Sequence, residues 1–161
     1  MKISIITTGG TIDKVYFDAK SDYQIGDPQV KTILDRVGST IEYDVQELFH
    51  KDSLEMTDDD RDQIVIAAKS SVADRLVITH GTDTMVETAK ALSDVAETKT
   101  IILVGSLTPA RFRESDAEFN IGVAIGAVQS LPKGVYLAMN GRVFDPDRVR
   151  KNRDANRFEE I

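Results

Sequence analysis

At 161 residues and 41% hydrophobic content, the chain is long enough for one domain with its own core and too apolar for a disordered segment. Its 20 Lys and Arg against 27 Asp and Glu leave a net charge of −7, which argues against a general nucleic-acid-binding surface. With no cysteine there are neither disulfides nor thiolate metal sites; two histidines are poor material for an imidazole cluster, and no cofactor or metal is expected.

The first expected strand is Lys2–Thr7, whose apolar run Ile3–Ile6 suits a buried parallel position. That run is too short for a signal peptide, and no stretch approaches the roughly 18 apolar residues of a membrane helix. The chain is therefore expected in the cytoplasm, without a membrane partner. Thr8-Gly9-Gly10-Thr11 follows the strand directly. The next stretch, about residues 12–27, lacks periodicity, and loops of that length in compact domains are often lids. A helix is expected over Pro28–Val37 and a strand over Ile41–Phe49. Thr57 is a good N-cap for a helix over Asp58–Ser70, whose three leading aspartates suit the positive end of its dipole.

A strand over Arg75–Thr79 leads into His80-Gly81-Thr82-Asp83-Thr84-Met85 and a helix over Thr84–Ala96. Asp83 by itself reads as the cap of that helix. A strand over Thr100–Val104, a helix over Ser115–Leu131 and a strand over Gly134–Met139 complete the alternation. Gly122 and Gly126, four apart in the last helix, point to close packing on the sheet or on a neighbouring subunit. Asn140-Gly141 is a hairpin signal before Arg142–Phe144. The alternation implies a single-domain, three-layer α/β/α fold with a mostly parallel sheet.

Ligands of such sheets gather beyond the carboxyl ends of the strands, where both threonine turns fall. Gly9-Gly10 leaves backbone N–H groups exposed, yet neither the GxGxxG pattern nor a P-loop is present, so phosphate binding loses its usual signatures. An oxyanion site beside a hydroxyl nucleophile is the alternative. His80 reads as a structural hydrogen-bonder, which disfavours Ser/His/Asp hydrolysis. A hydroxyl nucleophile without histidine needs a lysine or tyrosine as activator. The basic run Arg148-Val149-Arg150-Lys151-Asn152-Arg153 offers a lysine, and Tyr23 lies in the lid candidate.

Taken in order, Thr8-Gly9-Gly10-Thr11-Ile12, Tyr23-Gln24-Ile25-Gly26, Asp52-Ser53-Leu54-Glu55-Met56, Thr79–Met85, Asp116–Asn120 and Asp145–Lys151 resemble the bacterial-type L-asparaginase family across essentially the whole chain. The resemblance implies an amidohydrolase converting L-asparagine to L-aspartate and ammonia, with L-glutamine as a minor substrate. It implies Thr11 as nucleophile, Tyr23 as its lid partner, and Thr82, Asp83 and Lys151 as a second triad. Ser53 would hold the substrate carboxylate near Gly10, and Asp83 the ammonium; the N–H groups of Thr11 and Thr82 would form an oxyanion hole.

Family members usually carry a second, C-terminal domain that about doubles the chain, and in their dimer it contributes a glutamate to the neighbouring site. This chain resembles the short-chain form, the N-terminal catalytic domain alone. Leu54 stands where many full-length members have a polar contact. The acidic tail Glu159-Glu160 of another subunit is a candidate for the missing group, and a homo-oligomer, dimer or tetramer, is expected. A non-catalytic amino-acid-binding module and an amidase subunit of a tRNA-dependent amidotransferase are the competing readings.

Overall fold

The computed structural model describes all 161 residues. In chain order they form β1 (Lys2–Gly9), β2 (Lys14–Phe17), β3 (Asp22–Ile25), α1 (Val30–Arg36), β4 (Glu42–Lys51), α2 (Asp58–Ser70), β5 (Arg75–Thr79), α3 (Met85–Ala91), β6 (Thr100–Val104), α4 (Ala117–Ser130), β7 (Gly134–Met139), β8 (Arg142–Phe144), β9 (Val149–Asn152) and β10 (Arg157–Glu160). Six strands make the central sheet in the order β4-β1-β5-β6-β7-β8. Pairing is parallel as far as β7, because helical crossovers return each strand in the same direction. β8 turns back antiparallel across Asn140 and Gly141, whose φ values of 53° and 76° suit a tight hairpin.

The two faces of the sheet are covered by different helices. Ile6, Leu76, Ile78, Leu103 and Leu137 meet Ile64 and Ala68 of α2 and Met85 and Ala89 of α3 on one side. Ile3, Ile5, Val77, Ile102 and Val104 meet Ile33 and Leu34 of α1 and Ile121, Ala124 and Val128 of α4 on the other. Alternate residues of each buried strand thus feed opposite cores. The architecture is the expected single-domain α/β/α sandwich.

Local chemistry sets the helix ends. Thr57 accepts from the Asp60 N–H while the Asp60 carboxylate accepts from the Thr57 N–H, a capping box that starts α2. Lys51 at the end of β4 donates to both Asp60 oxygens at 2.8 Å, tying strand to helix. α3 is shorter than the apolar pattern implied. It stops at Ala91, and a separate tight turn covers Ser93–Val95. Conversely β4 runs on to Lys51, because β1 extends past an irregularity at Thr7/Gly9 and keeps pairing.

Residues 12–27 are not structureless. β2 and β3 pair antiparallel as a small hairpin, with Tyr16 opposite Tyr23. Its base is held by the Gly26 N–H to Asp13 carbonyl bond of 2.8 Å. Gly122 and Gly126 also find a definite place. They lie on the outer face of α4, where an added methyl would meet nothing within 4 Å, so sheet packing is not their role. No helix is long and apolar enough to cross a membrane.

Candidate active site

Thr7 of β1 and Thr79 of β5 are register partners, so the turns that leave these strands are pressed together. Thr8 Oγ1 donates to the Thr79 carbonyl at 2.8 Å across that junction. Gly10 has φ 89°, and a side chain there would strike the Gly81 backbone. On its other side a methyl on Gly81 would lie 2.5 Å from Ser53 Oγ. Three turns, carrying Thr11, Thr82 and Ser53, are therefore stacked with almost no space between their backbones. Glycine is required at both contacts for that reason, and at Gly10 for its backbone angle as well.

Thr11 opens a one-turn helix, Thr11–Asp13, and is half-buried. With Lys14, Tyr23, Leu107, Thr108, Pro109 and Phe112 it lines a cleft of about 420 Å³. Tyr23 is 44% exposed and stands edge-on to Tyr16, with ring centroids 5.4 Å apart. Its hydroxyl has no hydrogen bond to Thr11, although both side chains face the same cleft. Ser53 is buried in the turn after β4, and its Oγ has no hydrogen-bond partner within the chain. That buried hydroxyl with unused capacity directly follows Asp52, which pairs with the cleft residue Lys14, and is free to bond a polar ligand.

Lys151 is brought to the second turn from the far end of the sequence. Its Nζ donates to Thr82 Oγ1 at 2.7 Å and to Asp83 Oδ1 at 2.9 Å. The placement follows from β9 and β10, which pair antiparallel with Lys151 opposite Phe158. Val149 and Phe158 are buried and anchor this hairpin in the core, and Lys151, two residues on from Val149, shares its side of the strand. The neighbouring Arg148, Arg150 and Arg153 remain exposed, so the basic run splits into one inward lysine and a solvated face.

Asp83 does not cap α3. Thr84 occupies that position with no side-chain cap bond, and the Asp83 carboxylate turns to Lys151 and, at 3.5 Å, to Arg153. The electrostatic pull of a half-buried lysine outweighs a cap bond worth about 1 kcal/mol. The tail carboxylates are engaged within the chain. Glu159 pairs with Arg157 and Arg150, and Glu160 with Arg142.

Several cleft residues escaped the sequence reading. Lys14 reaches Asp52 at 2.9 Å and joins the hairpin to the Ser53 turn. Thr108 and Phe112 come from the loop after β6, held by Asp116, whose carboxylate accepts from the Leu107 and Thr108 N–H groups at 3.0 Å. The one available signal was position, since that loop also leaves a strand at its carboxyl end. The structure groups no three His, Asp or Glu side chains as a metal site.

Residues 2–159 match the family model described as Asparaginase, N-terminal. The chain belongs to that family. A probable periplasmic L-asparaginase of Haemophilus influenzae is 31% identical over 159 residues, spanning 92% of this chain and 46% of that protein. The thermostable L-asparaginase of Thermococcus kodakarensis superposes with a TM-score of 0.85 at 26% identity, over 100% of this chain and 51% of that one. A subunit of the glutamyl-tRNA(Gln) amidotransferase of Methanococcus vannielii is 47% identical over 74 residues, 45% of this chain and 17% of that protein. The asparaginase domain described here thus spans about half the length of the asparaginases it matches.

Proposed function

We propose that this chain is an amidohydrolase converting L-asparagine to L-aspartate and ammonia through a threonine nucleophile. The observation that carries the reading is the Lys151 ammonium 2.7 Å from Thr82 Oγ1 and 2.9 Å from Asp83 Oδ1, on a turn packed against that of Thr11. Thr11 Oγ1 attacks the side-chain amide carbon, and its proton passes by way of Tyr23 to the leaving nitrogen. The C–N bond breaks, ammonia departs, and an aspartyl ester remains on Thr11. Water held at Thr82 beside Lys151 attacks that ester, the bond to Thr11 breaks, and a proton returns to Thr11. Both steps pass through a tetrahedral oxyanion, for which the Thr11 and Thr82 N–H groups are the donors. The buried Ser53 hydroxyl, with the backbone near Gly10, holds the substrate carboxylate, and Asp83 holds the ammonium.

The segment from 12 to 27 serves as the lid in this reading, supported by the exposure of Tyr23 and by its place on a hairpin tied to the body near its start, where the Ala110 N–H donates to the Ile12 carbonyl and the Gln29 N–H to the Asp13 carboxylate. L-Glutamine is a minor substrate, since an extra methylene displaces its amide from the nucleophile. A homo-oligomer, dimer or tetramer, forms part of the proposal; its support is the outer face of α4, where Phe119 is 62% exposed beside the open Gly122 and Gly126. Light scattering showing a monomer would remove that element alone.

Ammonia release from L-asparagine by the wild type, Thr11→Ala, Thr82→Ala and Lys151→Met tests the reading. Each substitution is expected to lower turnover on the order of 10³-fold, as for removal of a nucleophile or its activator. A wild-type chain that binds asparagine tightly and releases no ammonia would sink the hydrolase reading and leave a binding module. The amidotransferase alternative is favoured by the 47% identity to a component of that enzyme. Co-purification with a synthetase-like partner, together with ammonia release only in its presence, would establish it.

A further inference from the structure

We infer that His80 is a positioning residue for the proposed oxyanion site, holding the Gly81–Thr82 peptide so that the Thr82 N–H faces the cleft. The inference rests on the hydrolase reading above. His80 is fully buried directly after β5. Its Nδ1 lies 2.8 Å from the carbonyl oxygen of Gly81, the next residue. A carbonyl only accepts, so that contact requires the proton on Nδ1. Nε2 is then an acceptor, and Thr88 Oγ1, 2.8 Å away on α3, donates to it. Met56 Sδ completes the surroundings of Nε2 at 3.2 Å.

This arrangement acts on one peptide plane. The Gly81 C=O and the Thr82 N–H belong to the same trans peptide and point in opposite directions. With the carbonyl drawn inward to the buried imidazole, the N–H is turned outward. The Thr82 N–H donates to no group of the chain, so its hydrogen-bonding capacity is left for a ligand. The peptide has little freedom to drift, because Gly10 presses on the Gly81 backbone from one side and Ser53 from the other. The same network reaches the substrate-carboxylate turn: Thr84 Oγ1 donates to the Ser53 carbonyl at 2.8 Å. Burial without a countercharge keeps the ring neutral, with its pKa drawn down to about 4 even though the Gly81 carbonyl pulls the other way. A neutral ring with a defined tautomer suits a fixed backbone anchor and does not suit a general base.

Two substitutions separate this role from packing. His80→Leu fills the volume without a donor, whereas His80→Asn places an N–H near the position of Nδ1 and packs worse. A merely structural histidine predicts that the leucine variant is the more stable and the more active of the two. The positioning role predicts the reverse for activity. His80→Leu is expected to lower kcat for asparagine about 30- to 100-fold, somewhat less than deletion of an oxyanion donor, with KM changed less than about threefold. His80→Asn is expected to recover kcat to within about tenfold of wild type despite a lower Tm. Nitrogen-15 NMR of the wild-type imidazole should show a proton on Nδ1 and a bare Nε2. An Nε2-protonated ring overturns the inference whatever the variants do. So does a His80→Leu enzyme within threefold of wild-type kcat, or an asparagine variant no more active than the leucine one. A wild type that releases no ammonia removes the hydrolase reading and this inference with it, whereas an active wild type indifferent to His80 overturns the inference alone.

Discussion

Single side chains here are decided by what backbone contact leaves open to them. Gly10 combines a φ of 89° with a neighbour that leaves no room for a methyl. Gly10→Ala is therefore expected to cost about 3 kcal/mol or more, the sum of left-handed strain and collision with another turn, read as a fall in denaturant midpoint. Lys14 and Asp52 form a part-exposed ion pair, with side-chain exposures of 27% and 28%. Such pairs are worth about 1 kcal/mol or less, so Lys14→Ala should leave stability nearly unchanged, and on the proposed hydrolase reading it should raise KM for asparagine about two- to fivefold. A KM unchanged within error would show that this bridge does not steady the hairpin over the cleft.

Among the elements, α2 and the β2–β3 hairpin lie at opposite extremes of definition. Thr57 announces α2 in the sequence, and the capping box with Asp60, buttressed by Lys51, bears that out. Thr57→Ala should cost about 1 kcal/mol, measurable as a lower thermal midpoint, since it strips one orphan N–H of its acceptor. The hairpin offers no such signal. Its strands are four residues each, and Tyr16, Phe17, Asp22 and Tyr23 are exposed, so no alternation of buried and exposed residues marks them. What forms it is attachment: the Asp13 carbonyl takes the Gly26 N–H and the Asp13 carboxylate takes the Gln29 N–H at 2.8 Å. Amides within residues 15–24 should exchange with solvent orders of magnitude faster than those of β1 and β5, because isolated two-stranded hairpins are marginal in water. Equal protection would argue that the hairpin is part of the rigid core and no lid.

Across the molecule as a whole, Asp13 and His80 link stability to pH in opposite senses. Burial raises the Asp13 carboxyl to about 7, with the Gln29 N–H pulling it down. The folded state thus keeps a proton that the unfolded chain releases near 3.8, and this contribution is lost as pH rises through the folded value. His80, lowered to about 4 by burial, refuses a proton that the unfolded chain takes below 6.5, so its contribution is lost as pH falls. Between about 4 and 6.5 the two nearly cancel, each worth at most about 1.4 kcal/mol per pH unit. Asp13→Asn, which retains an acceptor for Gln29, should make stability climb with pH over that window, and His80→Leu should make it decline. Denaturant midpoints measured across the window would reveal these slopes; parallel curves for the three proteins would refute the pairing.

Periodicity and punctuation were enough to read the layers from the chain, because burial of a parallel strand demands a continuous apolar run and each crossover helix demands one apolar stripe. They also placed two threonine turns at strand ends, and motif order tied those turns to Tyr23, Ser53 and Lys151. Whether Asp83 capped a helix or met a lysine was not legible from spacing alone, since a cap and an ion pair ask for the same residue at the same point; only the family resemblance pointed to the lysine. The fold decided it by delivering Lys151 from 68 residues away. The outward turn of Gly122 and Gly126, the hairpin within residues 12–27 and the inward turn of the His80 ring were hidden for a similar reason. Each depends on how the folded chain packs around it: nothing arrives at the α4 face that bears Gly122 and Gly126, Ala110 and Gln29 hold the start of the hairpin segment, and Thr88 and Met56 close on the His80 ring, none of which local periodicity encodes.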